Sequence, residues 1–237
     1  IHVGAIGPEG GWTRDALASH GVDTTHVAEV PTATGHAIVM VEDGTGENAI
    51  LIFSGANLCQ DMARLELALE TASPGDTLLL QNETNLAAEA ARVARARGLS
   101  VAYSAAPFDA DHATAMLPLV GLLVVNEVEA GQLAAALGTT ADTLPVPSCL
   151  ITLGSRGARF RDTTASHHAP AFKVPPVDTT GAGDTYLGAF LAARDEGQPP
   201  ADALRFAAAA AAIQVTRPGT AQAIPSRAEV DSFLAAP

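Results

Sequence analysis

A short run of glycines and carboxylates has the composition of an anion-handling site. Residues 177–186 read VDTTGAGDTY and open an amphipathic helix. Gly181 and Gly183 let the backbone turn tightly into that helix, so several N–H groups converge at its positive end and can bind an anion such as a phosphoryl group. Asp184 by itself would repel a phosphate, but it can take a proton from an incoming hydroxyl group. The segment therefore predicts phosphoryl transfer, with amides holding the phosphate and a carboxylate activating the acceptor.

The same residues also have a purely structural interpretation. Asp178 or Thr180 would cap the helix, the glycines would form a turn, and Asp184 would only favour the helix dipole. A generic Gly-x-Gly pair would not exclude this interpretation. The complete string is more specific, because two acidic residues flank a Thr-Thr-Gly-Ala-Gly core.

That complete string, residues 178–184, resembles the C-terminal signature of the ribokinase (PfkB) family of carbohydrate kinases. Three further segments match the family in the order that the family shows. They are Asn-Glu-Val-Glu at residues 126–129, ITLGSRG at residues 151–157 and VTRPGT at residues 215–220. Taken alone, these segments would be a helix cap, a strand-to-strand turn and a helix stop. Together they favour the kinase interpretation.

The resemblance implies a catalytic and a sugar-binding set. The backbone of Gly181, Ala182 and Gly183 would stabilise the charge that develops on the transferred phosphoryl group. Asp184 would be the general base and would contact the sugar. Glu83, in the sequence LQNE, falls where the family places a sugar-binding glutamate. A solvated carboxylate at a strand end remains an open alternative for Glu83.

The resemblance also implies a nucleotide site and two ion sites. Contacts with ATP are implied for Asn126, Thr152, Gly154, Gly157 and Ala208, the last of which stands where family members commonly have an asparagine. Glu129 would organise Mg²⁺ through water, since Mg²⁺ prefers few carboxylates and several waters. A monovalent cation such as K⁺ is implied near Asp178, Thr180, Arg217 and Gly219. Ala223 stands where the family has a serine in that cation loop.

Strand-like and helix-like segments alternate through most of the chain. Apolar strands are predicted at residues 77–80, 99–103, 122–125 and 150–153, and helices at residues 86–97, 112–119, 128–137, 182–194, 201–215 and 226–235. Continuously apolar strands separated by helices belong in a parallel sheet covered on both faces. The predicted fold class is therefore α/β, a doubly wound and mainly parallel sheet flanked by helices, which the resemblance makes ribokinase-like.

One segment breaks this rhythm. Residues 35–41 and 48–53 are strand-like and flank the turn-rich EDGTGE, which predicts an antiparallel hairpin. We expect the segment 27–53 to be a small β lid, and residues 1–26 and 54–237 to form the nucleotide- and sugar-binding core. The resemblance implies that the lid closes the sugar site and also forms a homodimer interface.

Composition excludes several classes of protein. The chain has 237 residues, 48% of them apolar and 16% charged, and its net charge is −13. This charge argues against a surface that binds nucleic acid or anionic lipid. No apolar run approaches the roughly 20 residues of a membrane-spanning helix, so the cytoplasm is the expected location. The chain opens on a strand-like run at Ile1, and we expect an N-terminal segment, with part of the family's sugar pocket, to be missing.

The sequence thus predicts an ATP-dependent carbohydrate kinase that transfers the γ-phosphoryl group to a hydroxymethyl oxygen of a sugar. Ribose is the favoured acceptor, ahead of fructose, 2-keto-3-deoxygluconate or a nucleoside. The competing hypothesis is a non-catalytic nucleotide- or sugar-binding protein on the same fold. An NAD-dependent oxidoreductase is disfavoured because no Gly-x-Gly-x-x-Gly motif follows an early strand.

Overall fold

The structure is a computed structural model that describes residues 1–41 and 48–236. The chain divides into two compact units, Ile1–Val101 and Ala102–Pro237. The predicted division into a core and a lid at residues 27–53 uses other boundaries and stays a prediction. No helix in the described part of the chain is both long and apolar enough to cross a membrane.

The first unit contains a parallel strand pair, a hairpin and three helices. Its elements are β1 Val3–Ile6, α1 Gly11–Ser19, β2 His26–Glu29, β3 His36–Val41, β4 Asn48–Phe53, α2 Met62–Leu69, β5 Thr77–Leu80 and α3 Ala87–Ala96. Strands β1 and β2 pair in parallel, with Val3 opposite His26. The sequence did not predict β2, α1 or α2. The predicted lid boundary at residue 27 falls inside β2.

The predicted hairpin is confirmed. Strands β3 and β4 pair antiparallel, with His36 opposite Phe53 and Ile38 opposite Leu51. The predicted turn at residues 42–47 lies outside the described residues. Alternation places Ile38, Leu51 and Phe53 on one face of the hairpin, where each side chain is roughly half exposed. The hairpin therefore presents an apolar face, as a lid or an interface would.

The second unit contains a mixed sheet flanked by helices. Its elements are β6 Ser100–Ser104, which begins just before the boundary, α4 Ala110–Met116, β7 Leu122–Asn126, α5 Glu127–Ala136, β8 Ser148–Thr152, β9 Ala158–Arg161, β10 Ser166–Ala169, α6 Ala182–Asp195, α7 Pro200–Gln214 and α8 Arg227–Ala235. The strands lie in the order β10–β9–β8–β7–β6. Pairing is parallel from β6 to β8 and antiparallel from β8 to β10.

The core of the second unit lies where α6 and α7 pack on the sheet. The α7 sequence is rich in alanine, and Ala203, Ala207 and Ala209 are fully buried. Such small side chains leave room for the bulky groups of α6. Phe190 packs there against Phe160 of β9, with ring centroids 5.3 Å apart. The Tyr186 hydroxyl donates a hydrogen bond to the Leu204 carbonyl at 2.9 Å, which ties α6 to α7.

Gly157 is predicted to be irreplaceable, because its φ is +93° and a Cβ there would lie 2.0 Å from the Ala169 carbonyl oxygen. Gly157→Ala should lower the free energy of unfolding by about 2 kcal/mol or more. The control is Gly131→Ala, in the exposed interior of α5 with no atom within 4 Å of the new Cβ. That variant should gain about 0.5–1 kcal/mol. Urea unfolding of both variants measures the difference, and equal stabilities would contradict the prediction.

Candidate active site

The glycine-rich string enters α6 through a single left-handed residue. Gly181 caps the helix at φ +79°, a conformation that residues with a Cβ adopt at a cost. Its carbonyl accepts the first helical bond from the Thr185 amide at 2.9 Å, and the Ala182 amide donates to the Thr179 carbonyl at 3.2 Å. The Ala182 amide is thus engaged within the chain, at the end of α6 where the helix dipole is positive, and the role of this helix start as an anion site stays a prediction.

A cavity of about 310 Å³ lies against this helix start. Six of the predicted site residues line it together: Thr152, Gly154, Gly157, Ala182, Gly183 and Ala208. Loops that are far apart in sequence, one after β8 and one before α6, thus share one cavity with α7. The volume is within the range of small-molecule and cofactor sites.

The apolar part of the cavity was not predicted. It is lined by Phe172 and Val174 from the extended segment before α6 and by Ala211 and Ala212 from one face of α7. Ala208, which is almost fully buried, belongs to the same α7 face. The alanine run at residues 207–212 could have indicated this apolar lining, since a helix face with only small side chains leaves space for a ligand.

The Asn-x-x-Glu segment lies at the neighbouring strand end. Asn126 pairs with Thr152 in the parallel register of β7 and β8, so both residues end their strands at the same edge. The Asn126 side chain accepts a hydrogen bond from the Glu129 amide at 2.9 Å, and the Glu129 carboxylate accepts one from the Asn126 amide at 2.8 Å. This capping box begins α5. Asn126 does not line the cavity, and its predicted contact with ATP is untested.

Glu129 also has an unusual environment for a carboxylate. Its side chain is partly buried, and desolvation raises the pKa of Glu129, an effect that the hydrogen bond from the Asn126 amide partly offsets. A nearby cation would favour the ionised form and reverse this shift. The position therefore suits the predicted role beside a metal ion.

A second carboxylate, that of Asp178, joins the segment before α6 to the loop that follows α7. One Asp178 oxygen accepts a hydrogen bond from the Thr180 amide at 2.9 Å, and the other accepts one from the Gly219 amide at 3.1 Å. These bonds, that from Thr180 first, lower the pKa of Asp178. Three of the four residues predicted to hold a monovalent cation thus meet in one network. The fourth, Arg217, instead pairs with Glu229 at 2.6 Å.

The remaining two predicted residues lie outside the cavity lining. Asp184 is exposed in the first turn of α6, two residues after Ala182. Glu83 is exposed in the first unit, in the turn that follows β5. Their predicted roles as general base and sugar ligand are untested.

Comparison with known proteins places the chain in a family. The model of the pfkB family of carbohydrate kinases matches residues 3–227, and the chain belongs to that family. Ribokinase of Haemophilus influenzae is 33% identical over 234 residues, which is 93% of this chain and 76% of the relative. Ribokinase of Schizosaccharomyces pombe is 36% identical over 233 residues, 91% of this chain and 72% of the relative.

Solved structures confirm the predicted ribokinase-like α/β fold. The crystal structure of ribokinase from Thermotoga maritima has a TM-score of 0.83 at 34% identity and covers 98% of this chain and 80% of its own. The structure of Arabidopsis thaliana ribokinase complexed with ribose and ATP has a TM-score of 0.84 at 28% identity, covering 99% and 81%.

The lowered pKa of Asp178 makes the stability of this loop depend on pH. The ionised carboxylate stabilises the folded state above its unfolded pKa of 3.8, and this contribution is lost as pH falls through the lower folded pKa. Asp178→Asn loses one of the two acceptors, so its free energy of unfolding should be lower than that of the unsubstituted protein at pH 7. The deficit should shrink below about pH 4.

Urea unfolding of both proteins between pH 7 and pH 3 measures that difference. Asp195→Asn is the control, because Asp195 is exposed at the far end of α6. A deficit for Asp178→Asn that stays constant over this range would contradict the assignment.

Proposed function

We propose that this chain is an ATP-dependent sugar kinase that transfers the γ-phosphoryl group to a hydroxymethyl oxygen of ribose. The observation that carries the proposal is the cavity that Ala182 and Gly183, at the positive end of α6, line together with Thr152 and Gly154 from the end of β8. The ribokinase relatives at 33% and 36% identity support the same activity. So does the similarity to a ribokinase complexed with ribose and ATP.

The lining of the cavity suits the two ends of a nucleotide. Its apolar lining, which includes Phe172 and the small side chain of Ala208, would accept a planar base. The lining also offers the backbone of Gly154 and the first turn of α6 to phosphate oxygens. We assign Thr152, Gly157 and Asn126 to the same nucleotide site.

Asp184 would act on the sugar hydroxyl. Its carboxylate would take the proton as the hydroxymethyl oxygen forms a bond to the γ-phosphorus, while the bond from that phosphorus to the β–γ bridging oxygen breaks and ADP leaves. The amides of Gly181, Ala182 and Gly183 would stabilise the charge on the transferred group. Positioning accounts for most of the rate in such reactions, because little covalent chemistry falls to the protein.

Glu129 would position a magnesium ion through water. The residue fits this role, since its carboxylate is partly buried and accepts a hydrogen bond from the amide of Asn126, whose strand end lies beside Thr152. When bound, Mg²⁺ would neutralise charge on the phosphates. The resemblance also implies K⁺ near Asp178, Thr180, Arg217 and Gly219. Among the groups implied, the Thr180 carbonyl oxygen already accepts a hydrogen bond from the Gln214 side-chain amide.

The remaining parts of the proposal concern the first unit. Glu83 would bind the sugar, and the β3–β4 hairpin would close over it and exclude water, which could otherwise accept the phosphoryl group. The exposed apolar side chains of Ile38, Leu51 and Phe53 would be covered in a homodimer formed through this lid. The proposed location is the cytoplasm.

Asp184→Asn should abolish catalysis without abolishing nucleotide binding. The amide cannot take a proton, so kcat should fall by about 10²–10⁴-fold. The Kd for ATP should stay near its original value because the cavity lining is unchanged. Asp195→Asn, on the same helix, is the matched control and should keep full turnover. Coupled ADP release and calorimetry make the measurements, and near-normal turnover by Asp184→Asn would refute the general-base assignment.

Glu129→Gln should weaken the response to magnesium. The variant keeps an acceptor for the Asn126 amide, so α5 should still form, but it loses the charge that organises the ion. We expect the Mg²⁺ concentration for half-maximal rate to rise by about tenfold or more, consistent with the loss of an outer-shell partner. Asp195→Asn, exposed at the far end of α6, is the control. An unchanged Mg²⁺ titration would remove Glu129 from the site.

The acceptor is tested by ADP release with ribose, fructose, 2-keto-3-deoxygluconate and a nucleoside. Ribose should give the highest kcat/KM. Binding of MgATP without any sugar-dependent ADP release by the complete protein would instead support the non-catalytic alternative.

A further inference from the structure

The last residue of α7 places a side-chain amide behind the start of α6. Gln214 is fully buried. Its Nε2 donates a hydrogen bond to the Thr180 carbonyl oxygen at 2.8 Å and a longer one to the Gly219 carbonyl oxygen at 3.5 Å. One side chain thus joins the segment that enters α6 to the loop that follows α7.

The Asp178 carboxylate joins the same two segments, but it binds the backbone amides of the residues whose carbonyl oxygens bind Gln214. It accepts hydrogen bonds from the amides of Thr180 and Gly219. Thr180 and Gly219 therefore each donate a backbone N–H to the Asp178 carboxylate and accept a hydrogen bond from the Gln214 amide at the carbonyl oxygen. Donors and acceptors are matched within the chain at both residues.

This arrangement fits a monovalent cation poorly. A cation needs oxygen atoms that converge on it, whereas the group facing the Thr180 and Gly219 carbonyls is an N–H donor, which presents positive charge. The side chain of Ala223, where the family has a serine, is an apolar methyl group and is buried. Its carbonyl oxygen is already approached by the Arg217 guanidinium at 3.4 Å. The expected serine hydroxyl is therefore missing, and the carbonyl oxygens of Thr180 and Gly219 already accept hydrogen bonds.

We propose that the Gln214 amide does in this chain the work of a bound monovalent cation. It holds the carbonyl oxygens of Thr180 and Gly219 together and so sets the turn through which Gly181 enters α6. The chain consequently needs no K⁺ to form the anion-binding helix start. The consequence for catalysis rests on the proposed kinase function, but the consequence for stability does not.

The orientation of the amide sharpens the test. Gln214 Oε1 is buried and has no hydrogen-bond partner among residues 1–41 and 48–236. Turning the amide over would direct this oxygen at the two carbonyl oxygens, which is favourable only if a cation lies between them. If the amide oxygen and the two carbonyl oxygens instead bound K⁺ together, K⁺ would specifically stabilise the folded protein.

The decisive experiment is thermal unfolding of the complete protein in KCl and in tetramethylammonium chloride at equal ionic strength. We expect the two Tm values to agree within about 1 °C, because the folded state binds no K⁺. A rise specific to K⁺ of more than about 3 °C, which for a chain of this size corresponds to about 1 kcal/mol, would overturn the proposal.

Gln214→Glu provides the positive control for this experiment. The carboxylate has the same shape but cannot donate to either carbonyl oxygen, so the three oxygens should now require a cation between them. We expect its Tm to fall in tetramethylammonium chloride and to recover by several degrees in KCl. Gln222→Glu, the same change at an exposed residue of the same loop, should show no K⁺-specific recovery. If Gln214→Glu does not fold, the comparison with the unsubstituted protein still decides.

Activity provides a second measurement. Ribose-dependent ADP release in KCl, NaCl and tetramethylammonium chloride should agree within about twofold, and a tenfold or larger activation by K⁺ would overturn the proposal. Absence of ADP release in all three salts would refute the proposed function instead, while the Tm comparison would still decide the role of Gln214.

Discussion

The architecture of this site depends on the turn through which the backbone enters α6. The first-turn amides can face a ligand only if Gly181 stays in its left-handed conformation and the segment before it is held in place. Four interactions join that segment to the end of α7 and the loop after it: the hydrogen bond from the Gln214 amide, the Asp178 carboxylate bond to Gly219, and backbone hydrogen bonds from Val177 and Asp178 to the Val215 carbonyl at 2.7 and 3.2 Å. The end of α7 therefore positions the start of α6.

Electrostatics bears on the proposed anion site, because the chain as a whole is acidic. With a net charge of −13, the surface as a whole disfavours phosphate. The proposed site would use backbone N–H groups, whose partial positive charges are fixed by the fold and do not depend on pH. The Asp178 carboxylate lies behind the helix start, where two amides satisfy it and lower its pKa. The Asp178 carboxylate therefore stays ionised, and its charge is stabilised by hydrogen bonds within the chain.

Elements with a strong local signal could be predicted from the sequence, and those without one could not. The apolar runs of β7 and β8 and the three C-terminal helices lie within a residue or two of their predicted bounds. Strands β9 and β10 were missed because ARFR and SHHA contain too few apolar residues to indicate a strand, and pairing with β8 decides their conformation. Helix α1 was missed since its Trp12 is exposed and no apolar stripe marks a buried face.

The sequence by itself determined the glycine-rich start of α6 with its flanking carboxylates, because the residues of 178–184 are contiguous and their spacing alone defines a helix start. It also determined that α7 would have a face made only of small side chains, because residues 207–212 are all alanine. Only the tertiary structure decided which distant residues share the cavity, since strand register and helix packing bring Thr152 and Ala208 to Ala182. The role of Gln214 was likewise invisible in the sequence, because a buried glutamine acquires its meaning from the carbonyl oxygens that the fold places around it.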